Sequence, residues 1–331
     1  MNTVVNASTP TEFPSIDFKL LAAARERSNK AMVDITLLEQ KVQRHADLKA
    51  LSQACDEHIN KAHFALPGIL QEVFLDLEKS VKRLEAYLAQ YPGSDTGRQN
   101  SIISSISRLM SSALEGSKSK EGEWNGHLAR VSKPIRSETL SAVSGQIDAD
   151  LLEAAKELEK FSEQKSALEK EEKTLEDAIS GLETTDYVDI GKETALNLES
   201  LSKLKAAPPE VLAVEQGLKL LEEGLDKAKG TLNYLSLVEG RQKAASKVAT
   251  TRKKIDDKDK EVARLKLQSK MVEHVSSLES HRQAYAEEAE KVAVALSAFY
   301  RAHGGDAFTV DQVRQFVVEA QAFIAYLKAI R

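Results

Sequence analysis

The sequence predicts an all-α fold: an elongated bundle of long helices with coiled-coil arms and a helical-hairpin head. Three observations predict it. Only 7 prolines and 15 glycines interrupt 331 residues. Aromatic residues make up 5% and charged residues 29%, a mixture that suits long solvated helices better than sheets. Apolar residues recur with three-four spacing through most of the chain, and strand-type alternation is essentially absent.

The first helix is expected to start near Ser15, whose hydroxyl can cap backbone amides, and to run to about Ala62 through Leu21, Ala24, Ala31, Ile35, Leu38 and Val42. Pro67-Gly68 punctuates the pattern, because proline lacks an amide donor. Ile69, Val73, Leu77, Leu84 and Leu88 then resume it until Tyr91-Pro92-Gly93 closes a second helix. Residues 94–145 are richer in serine and glycine and predict one short helix around Ile102, Ile103, Ile106, Leu109 and Met110, ending before Gly116.

Two heptad seams define the arms. Ile147, Leu151, Ala154, Leu158, Phe161, Leu168, Leu175, Ile179 and Leu182 form one, broken only by Lys165 and Glu172. Met271, Val275, Leu278, Tyr285, Ala289, Val292, Leu296 and Phe299 form the other, interrupted only by Arg282. The two are expected to pair antiparallel with each other. A helix from about Arg241 to Ala302 would be on the order of 90 Å long. His303-Gly304-Gly305 ends it, and Thr309 with Gln312 forms a capping box for a last helix that turns Val310, Val313, Val317, Ala320, Ile324 and Leu327 inward.

An antiparallel pair is joined at one end, so residues 183–240 are expected to form a head, with residues 1–182 and 241–331 as the bundle. The head reads as two helices separated by Pro208-Pro209. The first passes through Ile190, Ala195, Leu198, Leu201 and Leu204; the second has an apolar row of Val211, Val214, Leu218, Leu221, Leu225, Leu232 and Leu235. A charged row of Lys219, Glu222, Glu223 and Asp226 lies on its other face. Gly217, Gly224 and Gly230 interrupt this second helix, each at about 1 kcal/mol. Together with Gly181, Gly240, Pro208 and Pro209 they are candidate hinge positions. Two readings of Gly217 and Gly224 stay open: close approach of a neighbouring helix, or conformational lability.

Several functions are not expected. The net charge of -5 arises from 46 basic and 51 acidic residues spread along the chain, so no basic field draws nucleic acid. Cys55, the single cysteine, sits among Leu51, Ile59 and Ala62 at helical spacing and reads as a small buried residue. His58 and His63 stand about 140° apart on a helix and do not share a face as zinc ligands do. No Gly-Lys-Ser/Thr follows Gly217 and Gly224, and no nucleophile elbow occurs, so neither enzymatic activity nor a cofactor is expected. The opening MNTVVNASTPTEFPS lacks a basic stretch and an apolar core of signal-peptide length, so export by the conventional route is not expected. No stretch reaches about 18 consecutive apolar residues, so a soluble chain is expected.

Three functions remain: a component of a helical pore-forming toxin, a structural coiled-coil spacer or adaptor, and a secretion-associated helical translocator. A spacer has no use for a glycine-bearing amphipathic hairpin between two well-patterned arms. The opening PSIDFKLLAAARERSNKAMVDI, the long helices, the amphipathic hairpin from Tyr187 to Val238 and the closing FIAYLKAIR resemble the B components of the alpha-xenorhabdolysin binary cytotoxins, relatives of the cytolysin A group of helical pore formers. The resemblance implies a soluble monomer, exported from a bacterium without a classical signal peptide. It implies a second helical subunit, the A component, as partner, and a higher-order oligomer on target-cell membrane lipid. It implies head helices that swing out on meeting the partner, with Val211, Val214, Leu218, Leu221, Leu225, Leu232 and Leu235 facing lipid or neighbours and Lys219, Glu222, Glu223 and Asp226 facing water. The hairpin is net negative and its only aromatics are Tyr187 and Tyr234, which favours first contact with the bilayer by the partner.

Overall fold

The computed structural model describes residues 12–135, 137–184, 195–196, 208–224, 232–303 and 308–330. Among the described residues the chain is all-α, without a strand. Its helices are α1 (Phe18–Val42), α2 (Ala46–Gln90), a 3-10 turn at Tyr91–Gly93, α3 (Thr96–Val131), α4 (Ser137–Glu183), α5 (Pro208–Gly224), α6 (Tyr234–Ala302) and α7 (Val310–Ala329). Two compact units result: residues 1–144 with 267–331, and residues 145–266. Both unit boundaries fall inside helices, α4 and α6.

Three expectations about the first half are corrected. The first helix starts at Phe18, because Asp17 rather than Ser15 caps it: Asp17 Oδ1 accepts from the amides of Lys19 at 2.9 Å and Leu20 at 3.0 Å. It ends at Val42 instead of Ala62. Gln43 and His45 adopt left-handed φ of 52° and 64°, which costs a side chain steric energy. The turn folds α2 back on α1, where Ser28 Oγ donates to Asp56 Oδ1 at 2.7 Å and Arg25 Nε to Asn60 Oδ1 at 2.8 Å. Pro67, in turn, does not break α2, a helix of 45 residues. It sits on the exposed face, while Leu66, Ile69, Leu70 and Val73 are buried on either side of it, so packing outweighs one missing backbone bond.

Residues 96–131 form one 36-residue helix rather than a short one. Asp95 Oδ1 caps it through the Arg98 amide at 2.9 Å. It continues through Gly116, Gly122 and Gly126 because one face, from Ile102 and Ile106 to Trp124 and Val131, stays buried along its length.

The seam of α6 from Met271 to Phe299 is buried in the first unit. It packs on α2, α3 and α7, whereas the Ile147–Leu182 seam of α4, the expected partner, lies opposite the first half of α6. Trp124 Nε1 donates to the Ala289 carbonyl at 3.0 Å, the rings of His63 and Tyr285 lie 6.2 Å apart, and Phe299 stacks on Phe323 of α7 at 4.7 Å. Arg282, which interrupts the seam in the sequence, is a buried clamp. Its Nη1 donates to the Val131 carbonyl at 2.9 Å and its Nε and Nη2 to Glu279 at 2.8 and 2.6 Å, while Glu279 Oε2 accepts from the Ile135 amide at 3.0 Å. One charged pair thus fixes the end of α3 and the start of the following connection. Residues 13–17 strap the bundle: Phe13 packs on Phe323 and Tyr326, and Tyr326 Oη donates to the Pro14 carbonyl at 2.8 Å. The Thr309–Gln312 capping box that starts α7 forms as expected.

In the second unit α4 pairs antiparallel with the first half of α6. Glu169 meets Arg252 at 2.7 Å, Glu157 meets Lys258 at 2.6 Å, and Lys254 lies over the Phe161 ring at 5.5 Å. Two helices joined at one end must pair residues equally far from the joint, so Glu157 and Phe161 face residues 254–258. The seam at 271–299 lies too far along α6.

Candidate functional site

α5 is the helix with the sharpest division of faces in the second unit. Pro208 and Pro209 open it, where the first amides of a helix have no intrahelical acceptor and a fixed φ is an advantage. Glu210 in the first turn suits the positive end of the helix dipole. Val214 is 1% exposed and Leu218 8%, with Val211 and Leu221 half-buried beside them. Lys219, Glu222 and Glu223 are exposed on the far side.

The buried face rests on a cluster of Leu175, Ala178, Ile179 and Leu182 from α4, Leu237 and Ala244 from α6, and Leu196. Three of the candidate hinge glycines stand where these helices touch. A Cβ at Gly217 would lie 2.5 Å from the Ala178 Cβ, and one at Gly181 would lie 3.2 Å from the Glu210 carbonyl oxygen. A Cβ at Gly240 would lie 2.5 Å from Leu221 Cδ2. In this conformation each of the three stands at a close approach between helices.

The row read from sequence does not stay on one helix. Leu232 and Asn233 are not helical, so the helix expected to run from Val211 to Leu235 is not continuous. Asn233 caps α6, its Oδ1 accepting from the Ser236 amide at 2.9 Å. Leu232 is half-buried, and its carbonyl accepts from the Leu196 amide at 2.8 Å. Leu235 is 43% exposed on α6, and Leu212 is 54% exposed on α5. Gly224 is the last residue of α5; Leu225, Asp226 and Gly230 lie outside the described residues, as does most of the expected first head helix. The innermost residue on the α6 side is Leu237, fully buried, which the sequence also places on an apolar face with Leu220 and Val238. Tyr234 Oη donates to Glu183 Oε1 at 2.6 Å, and this bond raises the phenol's pKa.

Among the described residues no group of three or more histidine, cysteine, aspartate or glutamate side chains is placed to hold a metal, and no helix is long and apolar enough to cross a membrane. His58 and His63 are both half-buried. Burial pushes the Cys55 thiol up to about 12, which leaves it unreactive. The buried face of α5 gains its stabilisation from apolar burial, which is non-directional.

The fold is one that solved helical proteins share across nearly their whole length. PaxB from Photorhabdus luminescens matches with a TM-score of 0.73 at 14% identity, over 97% of this chain and 97% of that one. XaxB from Xenorhabdus nematophila matches with a TM-score of 0.73 at 14% identity, over 96% of this chain and 98% of that one. A chain of the XaxAB pore complex from Xenorhabdus nematophila covers the same shares at 14% identity with a TM-score of 0.55. No protein-family model and no curated protein matches the sequence.

Proposed function

We propose that this chain is the B-type subunit of a binary α-helical pore-forming toxin, and that residues 183–240 are its membrane-directed head. The observation that carries the reading is the parked amphipathic helix: α5 buries Val214 and Leu218 against α4 and α6 while exposing Lys219, Glu222 and Glu223. The near full-length likeness to PaxB and XaxB supports it. So does the likeness to a chain of the XaxAB pore complex.

The physical course follows from the two faces. An amphipathic helix cannot remain singly in lipid, because its charged face finds no partner there. A ring of such helices encloses water and satisfies both faces. Val211, Val214, Leu218, Leu221, Leu225, Leu232 and Leu235 would then face lipid or neighbouring subunits, and Lys219, Glu222, Glu223 and Asp226 would line water. Oligomerisation and insertion are coupled, and a second helical subunit makes the first contact with the target-cell membrane. Gly181, Pro208, Pro209, Gly217, Gly224, Gly230 and Gly240 mark where the head would bend away from the arms.

The test tethers α5 of the head to α4 of the bundle. Gly181→Cys with Val214→Cys places two thiols across that contact, where a Cβ at Gly181 would lie 3.5 Å from Val214 Cγ2. With its helical partner, the oxidised variant is expected to lose release of liposome contents and erythrocyte lysis, and reduction is expected to restore both. Undiminished lysis by the oxidised form would sink the moving head. Silence of the untethered protein with and without partner would favour the spacer.

A further inference from the structure

The hairpin of α2 and α3, in the first unit and apart from the head, carries a groove that pore formation does not explain. Lys120 of α3 pairs with Glu72 of α2, which fixes the antiparallel register. Counting back along α3 to Arg108 and forward along α2 to Arg83 covers the same length of helix within one residue. The two arginines therefore stand at one level of the hairpin.

Between them lies a groove of about 520 Å³, lined by Arg83, Tyr87 and Gln90 from α2 and by Ser105, Arg108 and Ser112 from α3. The spacing of these positions puts each trio on one helical face, beside the core face that buries Leu84, Ile106 and Met110. No lining residue is acidic. Neither arginine makes an ion pair or a hydrogen bond among the described residues. The neighbourhood is basic within an acidic chain. Residues 78–112 hold Lys79, Lys82, Arg83, Arg98 and Arg108 against Glu78, Glu85 and Asp95, and Glu78 pairs with Lys82 at 3.7 Å. Glu85 is engaged by Gln321 and Asp95 by the cap of α3.

Two guanidinium groups facing one groove repel each other unless they share a counter-anion. Guanidinium forks match the oxygens of a phosphate two at a time, and the hydroxyls of Tyr87 and Ser112 can donate to the oxygens that remain. We propose that the Arg83–Arg108 groove is a phosphate-binding site, taking either the phosphomonoester headgroup of a lipid or soluble phosphate. It stands independently of the head and of any pore.

The full-length protein is titrated calorimetrically with inorganic pyrophosphate. In a parallel arm it is sedimented with phosphatidylcholine vesicles with and without phosphatidic acid. Arg83→Gln with Arg108→Gln is expected to weaken binding by about tenfold or more in whichever arm shows it. Lys79→Gln with Lys82→Gln removes the same charge outside the groove and is expected to leave binding within about twofold of the parent. Vesicle capture that pyrophosphate reverses identifies a headgroup, and pyrophosphate binding without vesicle capture identifies soluble phosphate. The proposal is overturned if neither arm shows binding, if the arginine pair is replaced without loss, or if the lysine pair costs as much as the arginine pair. Circular-dichroism melts matching the parent's confirm that each variant is folded.

Discussion

α6 serves two clusters that are held in different ways. Its seam from Met271 to Phe299 is pinned by directional bonds between residues far apart in the chain: Trp124 to the Ala289 carbonyl, Arg282 to the Val131 carbonyl and the Asp17 amide to Glu288. Its first turns, by contrast, help form an aliphatic bed for α5, where Val214, Leu218 and Leu237 are buried and glycines let the backbones approach. Burying a side chain such as valine or leucine contributes about 1.5–3 kcal/mol, and any equally apolar surface returns the same gain. A directional bond to one carbonyl has no such substitute. The comparison therefore locates exchangeability in the second unit and permanence in the first.

The sharpest way to break the comparison is at its fixed end. Trp124→Ala removes the largest fully buried side chain and its bond to Ala289 and should cost about 3–5 kcal/mol, read as a lower urea midpoint. If it lost no more than a surface substitution, the anchoring role of the seam would be wrong.

Two glycine substitutions sharpen the other end. Gly217→Ala puts a methyl 2.5 Å from the Ala178 Cβ, which sits directly on its backbone, so α5 must shift. A cost of about 1–3 kcal/mol is expected, seen as faster hydrogen exchange confined to α5. Gly240→Ala meets only the end of the flexible Leu221 side chain, and its effect should stay below about 1 kcal/mol. Equal effects would mean that α5 is not seated through Gly217.

Acidification should separate the two units most gently. All 7 histidines lie in the first unit and none in residues 145–266. Burial, as the leading cause, holds His58, His63, His281 and His303 below the ordinary value of 6.5; in His303 the nearby Glu319 opposes it. A histidine with a depressed folded pKa leaves stability whole above 6.5 and takes it away as pH falls through the folded value, because the unfolded chain then binds more protons. Between pH 7 and 5, exchange protection is expected to fall in the first unit and to hold in α5.

Much of the fold was legible before the structure. The heptad seams, the long terminal half of α6, the Thr309 capping box and the closing turn at Tyr91–Gly93 all follow from local chemistry. The turn at Gln43–His45 was not legible, since Lys41, Gln43 and Arg44 are all compatible with a continuing helix and nothing in the apolar period marks the break. The length of α3 was hidden for the opposite reason: its glycines suggested an end, and only the buried face that runs past them keeps it helical. In the head, Val211, Val214, Leu218 and Leu221 could be read as one face from spacing alone. That Leu235 belongs to a different helix could not, because the cap at Asn233 interrupts a periodic row without disturbing its period.

That the chain is helical, and where most apolar faces lie, follows from residue order alone, since both are set by spacing within single helices. Residue order also supplied the amphipathic division of α5. Only the tertiary structure decided which faces meet: α4 with the first half of α6, the later seam with α2, α3 and α7, and Arg282 with Val131. Pairing depends on the distance of each residue from the joint between helices, and a heptad seam looks the same to every partner.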